Sequence, residues 1–144
     1  MIRRATLNDL NSLMQHGKDF IAYHPAKLKW NPKQVRDVVT DMIVNHVVIV
    51  AAEGREVRGG IGGRVIDNLF DPDETQLVEL FWWVGEEWRK SKIGMELFNA
   101  FEDVADILHC NSIVMTTTSL TPALDSLYER KGYEGYERTY MRRI

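Results

Sequence analysis

Between Arg89 and Met95 the chain reads Arg-Lys-Ser-Lys-Ile-Gly-Met, three basic side chains closely followed by a glycine. Beyond them Ile93, Leu97, Phe101, Val104 and Leu108 recur at spacings of three and four, which predicts an amphipathic helix starting near Ser91. The first N–H groups of such a helix have no internal partner and lie at the positive end of its dipole. Together with Arg89, Lys90 and Lys92 they make a site for a phosphate or pyrophosphate, and Gly94 lets the backbone come close to that anion. Upstream, Leu77, Val78, Leu80, Phe81, Trp82, Trp83 and Val84 form a bulky apolar run closed by Gly85, the pattern of a largely buried strand. Glu79 is the one carboxylate in that run. A half-buried carboxylate among apolar neighbours would have the raised pKa that a general base needs; an edge-facing or salt-bridged glutamate is the other reading.

Two nucleotide-binding signatures are excluded by spacing. Gly59-Gly60-Ile61-Gly62-Gly63 does not give the G-x-G-x-x-G order and no helical pattern follows it, and the chain has no G-x-x-x-x-G-K-[ST]. What the strand, basic loop and helix do resemble is the coenzyme A loop of the Gcn5-related N-acetyltransferase superfamily, [QR]-x-x-G-x-[GA]. Arg89 fills its first position and Gly94 its last, while Lys92 stands where the first glycine is expected. The late segment Leu127-Tyr128-Glu129-Arg130-Lys131-Gly132-Tyr133 is similar to the L-Y-E-[KR]-x-G-[FY] signature of the same family, and Ile2 to Thr6 with Asn8-Asp9-Leu10 resembles its opening strand and helix start. Residues 18 to 46 match no motif.

The resemblance implies acetyl transfer from acetyl-CoA to a primary amine by direct attack. It implies that the N–H groups of Lys90, Ser91, Lys92, Ile93, Gly94 and Met95 hold the pyrophosphate, and that backbone groups of Phe81, Trp82, Trp83 and Val84 pair with the pantetheine arm like an added strand. Tyr128 would protonate the leaving thiolate; a core tyrosine hydrogen-bonding outward is the alternative. Glu79 would accept the amine's proton, although related enzymes place a glutamate at the position of Val78. A one-residue shift turns a side chain to the other sheet face unless a bulge intervenes, and a water relay without a dedicated base is also open. Thr121 and Leu124 depart from the asparagine and alanine common in the family.

The elements that must position these groups follow from pattern. Ile2 to Ala5 predicts a strand, and Thr6 caps a helix carrying Leu7, Leu10, Leu13 and Met14 that breaks near Gly17 or continues to Tyr23. His24-Pro25 ends it. Asn31-Pro32 opens a second helix with Val35, Val38, Val39, Met42 and Ile43 on its buried face. Val47 to Ala52 and Val57 to Ile66 predict a hairpin, the second strand with four glycines that suggest a bulge or a close approach. Asp67 to Glu74 is an acidic loop. After the long helix to about His109, Ser112 to Thr118 predicts a strand, Pro122 to Gly132 a helix, and Tyr133 to Arg142 a closing strand. The order is β-α-α-β-β-β-α-β-α-β, an α/β fold with a mixed, strongly twisted sheet flanked by helices.

A length of 144 residues fits one domain spanning 1–144, and 44% apolar with 27% charged residues is ordinary globular usage. No apolar run reaches 18 residues and no leader pattern opens the chain, so neither a membrane span nor a secretory signal is expected and the cytoplasm is the expected compartment. A net charge of −3 gives no footprint for nucleic acid. Cys110 has no partner for a disulfide, and His16, His24, His46 and His109 lack metal spacing, so no metal is expected. Trp82, Trp83 and Trp88 read as core aromatics more readily than ligand contacts, and Trp30 as a lid residue in the segment without a motif. The expected acceptor is an amine on a small molecule, polyamine or peptide, cationic because Asp67, Asp71, Asp73 and Glu74 lead toward Glu79, with Glu86 and Glu87 just beyond; an ordinary solvated acidic loop is the other reading, and a homodimer is left open. Two rival readings stand beside it, a non-catalytic acyl-CoA-binding or interaction module on the same fold and a scaffold that recognises a partner through its aromatics.

Overall fold

The computed structural model describes residues 1–144. Strand β1 (Ile2–Arg4) leads into helix α1 (Leu10–Ala22), helix α2 (Pro32–Asn45), and strands β2 (Val47–Glu53), β3 (Glu56–Asp67) and β4 (Thr75–Val84). Helix α3 (Ile93–Ile107), strand β5 (Ser112–Val114) and helix α4 (Ala123–Arg130) follow. The sheet order is β1-β2-β3-β4-β5, antiparallel except for the parallel pair β4 and β5. The mixed α/β architecture is the one the patterns predict, save for its last strand.

β2 explains how the layers stack. Its run Val47 to Ala52 is buried throughout, as a strand covered on both faces must be. Val47, Ile49 and Ala51 join Ile61, Leu77, Leu97, Phe101 and Ala105 beneath α3. The alternate residues Val48, Val50 and Ala52 join Leu13, Met42 and Val57 beneath α1 and α2. Period-two alternation in one strand therefore divides the core between two helical layers.

Local chemistry sets the helix ends. Asn31 caps α2 by accepting from the amide of Gln34 at 3.1 Å, with Pro32 in the first turn. α1 runs through Gly17 to Ala22, and its entry is fixed by Asp9. That carboxylate takes Arg3 in a two-pronged pair of 2.7 and 2.9 Å and the amide of Thr6 at 2.8 Å, so β1 and α1 are tied at one buried acid.

Residues Tyr133 to Arg142 form no strand, which corrects the expected closing element. The sheet has two edges, β1 and β5, and each is three residues long. Neither offers a ladder for a ten-residue strand, and Tyr136, Tyr140 and Met141 are exposed. β5 itself stops at Val114 although the apolar and β-branched pattern continues to Thr118. The cause lies in β4, where the candidate site begins.

Candidate functional site

β4 carries one extra residue against β3. Gly62 is opposite Phe81 and Gly63 opposite Glu79, leaving Leu80 unpaired and half exposed, a β-bulge. The bulge reverses the alternation. Leu77 packs under α3 before it, whereas after it Phe81 packs toward α1 and α2 and Trp82 and Val84 return to the α3 side. Glycines make room for this: a Cβ on Gly62 would fall 2.4 Å from the Phe81 ring, and one on Gly63 2.5 Å from the Val78 carbonyl. The four-glycine run of β3 is thus a strand over which neighbouring residues lie unusually close.

At the bulge β4 and β5 part. Their parallel pairing ends at Val78 and Val114, while β4 continues to Val84. Two side chains take over the main-chain groups that a longer β5 would have used. The amide of Thr116 donates to Glu79 Oε2 at 3.1 Å, and the hydroxyl of Tyr128 donates to the carbonyl of Thr116 at 3.2 Å. The structure therefore brings together Glu79 and Tyr128, 49 positions apart in sequence, on one residue that the sequence did not mark. Thr116 could not have been found by residue type, because it acts through its backbone.

Burial tunes both groups. Glu79 is 8% exposed, and loss of water raises its pKa to about 7 against the opposing effect of the single Thr116 N–H. Tyr128 is equally buried; desolvation first, then the charges of Glu79 and Asp125, push its phenol well above the ordinary range. One group is poised to exchange a proton near neutral pH and the other keeps its proton. The Tyr128 ring packs at 5.9 Å from Phe98 and 5.8 Å from Tyr133, and Phe98 stacks on Trp82 at 5.3 Å. α4 ends in a left-handed Gly132, φ 88°, whose turn sends the amide of Tyr133 to the Tyr128 carbonyl at 2.9 Å. The ring of Tyr133 is thereby folded back onto the same cluster.

The basic loop lies past the end of β4. α3 begins at Ile93, two residues later than the predicted start, because Ser91 folds into a turn: its hydroxyl donates to the Trp88 carbonyl at 2.6 Å and accepts from the amide of Ile93 at 3.3 Å. The amides of Lys92, Gly94 and Met95 bond to nothing in the chain, and Lys90 and Lys92 are exposed. A Cβ on Gly94 would touch only Trp82 and Val84, at 3.8 Å, so no neighbour in the protein requires glycine there. Arg89, although exposed, is turned back onto β4. Its Nε donates to the Val84 carbonyl at 3.2 Å and its guanidinium lies over Trp83 at 4.4 Å and Tyr23 at 5.1 Å. Asp71, Asp73 and Glu74 are exposed on the loop before Thr75. At the rise of a strand this is about 13 Å or more ahead of Glu79.

The acetyltransferase (GNAT) family model matches residues 14–133. The chain belongs to the GNAT acetyltransferase family. Solved structures agree on the GNAT fold. A transcriptional regulator from Bacillus halodurans C-125 superposes with a TM-score of 0.81 at 18% identity, over 100% of this chain and 99% of that one. A predicted acetyltransferase from Clostridium acetobutylicum, solved with acetyl-CoA, gives 0.80 at 13% identity over 99% and 95%. An aminoglycoside acetyltransferase from an uncultured soil metagenomic sample, in complex with sisomicin, gives 0.75 at 17% over 100% and 95%. No curated protein matches the sequence. In this GNAT chain no helix is long and apolar enough to cross a membrane.

Proposed function

We propose that this GNAT protein is an N-acetyltransferase that moves the acetyl group of acetyl-CoA to a primary amine by direct attack. The observation that carries this reading is the convergence of a proton acceptor and a proton donor, Glu79 and Tyr128, on Thr116 at the point where β4 and β5 separate. The residues present fit the coenzyme. The free amides of Lys92, Gly94 and Met95 at the start of α3, with Lys90 and Ser91 beside them, suit a pyrophosphate, and the edge of β4 from Phe81 to Val84 has no neighbouring strand on the β5 side, which suits an arm paired as an added strand.

The co-substrate supplies a thioester whose carbonyl carbon accepts the amine nitrogen and whose sulfur leaves. Glu79, directly or through a water, takes the proton that the nitrogen sheds; its pKa of about 7 matches that task at neutral pH. Tyr128 gives its phenolic proton to the departing sulfur, for which its hydroxyl must leave the Thr116 carbonyl. The N–C bond forms as the C–S bond breaks, so the products are an amide and a free thiol. Arg89 must likewise release the Val84 carbonyl before that group can pair with the pantetheine.

These two committed groups also favour a second reading, a coenzyme-binding module without turnover. The test separates them. Acetyl-CoA should raise the melting temperature, as any ligand of the folded state does, and Tyr128→Phe should lower acetylation of an amine panel about 10-fold to 10⁴-fold with coenzyme affinity unchanged. Full turnover in that variant returns Tyr128 to a packing role; coenzyme binding with no turnover by the wild type selects the second reading.

A further inference from the structure

On the opposite side of β4 from α3 lies a cavity of about 240 Å³ enclosed by α1, the loop after it, α2 and the sheet. Its inner wall is Phe81, Trp83 and Gly60, and Trp30 and Leu28 close it from the connecting loop. We infer that this cavity selects the acceptor, taking the aryl or branched alkyl group of a hydrophobic primary amine rather than a polyamine or an aminosugar; this rests on the transferase reading above.

Three observations carry the inference. The cavity lies against the donor strand, because Phe81 and Trp83 belong to the β4 segment beyond the bulge that no β5 residue pairs. Phe81 and Trp83 are two and four residues from Glu79 along β4, about 7 to 13 Å; the bulge turns them to the opposite sheet face from Glu79, so an amine held there reaches Glu79 through the parting of β4 and β5. The wall is apolar and includes no aspartate or glutamate, and a polycation moved from water to such a wall loses hydration without gaining a counter-charge. The acidic residues that the sequence offered for a cationic acceptor are instead on the loop before Thr75, at the other end of the strand.

Size gives the class. An apolar cavity of about 150 Å³ takes up benzene, so 240 Å³ suits a ring with a short alkyl chain. The wall is held in shape. His16 donates from Nε2 to the Val57 carbonyl, which holds the ring in place, and its buried Nδ1 has no partner. Trp83 is braced by Phe20 at 5.7 Å and Tyr23 at 5.6 Å, with Arg89 over its ring.

Equilibrium binding to the full chain, followed by the fluorescence of the wall residues Trp30 and Trp83 and checked by calorimetry, tests this with phenethylamine, methylamine and spermidine. Phenethylamine should bind at least about 10-fold more tightly than methylamine, as expected for burying one phenyl group, and spermidine no more tightly than methylamine. Leu28→Trp and Val35→Phe, both filling the cavity from partly exposed positions, should weaken phenethylamine at least about 5-fold. Equal affinity for phenethylamine and methylamine, tightest binding of spermidine, or unchanged phenethylamine affinity in whichever of the two variants keeps its cooperative unfolding overturns the inference. An acetylation assay on the same three amines tells the two levels apart. Binding as expected with no acetylation leaves the pocket and removes the transferase reading, and acetylation indifferent to the phenyl group does the reverse.

Discussion

Glu79 keeps its proton to about pH 7 because its carboxyl has lost its water, and the one N–H that Thr116 donates to it only partly offsets that loss. The same burial has a cost in stability whose sign is fixed. The unfolded chain gives up this proton near 4.5 and the folded chain near 7, so between those values the native state binds more protons and stability falls as pH rises. Above pH 7 the whole loss is present, about 3 kcal/mol. Glu79→Gln keeps an oxygen for the Thr116 amide and has no charge to bury, so urea denaturation should find it gaining on the wild type from pH 4 to pH 8; a constant difference would show that Glu79 is not desolvated. The same residue should write itself into kinetics. The kcat/KM of the wild type should show an inflection near pH 7 that Glu79→Gln abolishes, and a profile unchanged by that substitution would assign the proton to water. Glu79 was legible as the lone acid of an apolar run. Its partner Thr116 was not, since a main-chain N–H and carbonyl carry no signature in residue type.

The elements that hold these groups were readable in proportion to how local their causes are. β2 declared itself as a run of β-branched and apolar residues because both of its faces are covered, and α2 as an Asn-Pro start followed by a helical stripe. Sequence offers a bulge somewhere in β4 as the condition under which Glu79 replaces a glutamate one position earlier, but its place at Leu80 depends on how Phe81 seats on Gly62, a contact between strands that periodicity cannot report. α3 carries a prediction at this scale. Gly94 is the second residue of that helix, and a methyl there meets only Trp82 and Val84 at ordinary contact distance. Gly94→Ala should therefore stabilise the protein by up to about 1 kcal/mol while weakening coenzyme binding, with Gly94→Leu removing it. Calorimetry that finds coenzyme affinity unchanged in the leucine variant would show that the anion is held elsewhere. The tie between β1 and α1 gives another. Asp9 sits well below the ordinary carboxylate range, chiefly through its hydrogen bonds from Arg3, so the stability it contributes is present above the unfolded value and lost as pH falls through the lowered one. Asp9→Ala should cost about 1.5 to 3 kcal/mol at pH 7 and flatten the acid limb of the stability curve; equal acid sensitivity in variant and wild type would place the sensitive group elsewhere.

At the scale of the whole molecule, two apolar clusters lie on opposite faces of one sheet, and everything from β1 to α4 contributes either to them or to the parting of β4 and β5. The segment after Tyr133 does neither. Its mixture of aromatic and charged residues reads as a strand, yet strand formation is a property of two partners, and β5 is cut to three residues because Glu79 and Tyr128 claim the groups of Thr116. The feature that builds the candidate site thus denies the closing strand its edge, which sequence pattern could not foresee. Tyr133 itself is anchored, its hydroxyl donating to Glu102 at 3.1 Å and its ring 5.9 Å from Phe98. Beyond it, residues 134–144 are exposed, and their one hydrogen bond to the rest of the chain is from Arg143 to the Lys27 carbonyl. Little apolar area is buried there, so removing residues 136–144 should lower stability by less than about 1 kcal/mol, roughly 4 °C in Tm, with acetyl-CoA affinity unchanged. Thermal unfolding of the truncated chain decides the matter: a fall above about 10 °C, or a change of oligomeric state on gel filtration, would mean that this segment pairs with a second copy and that the short edge of β5 is completed by it.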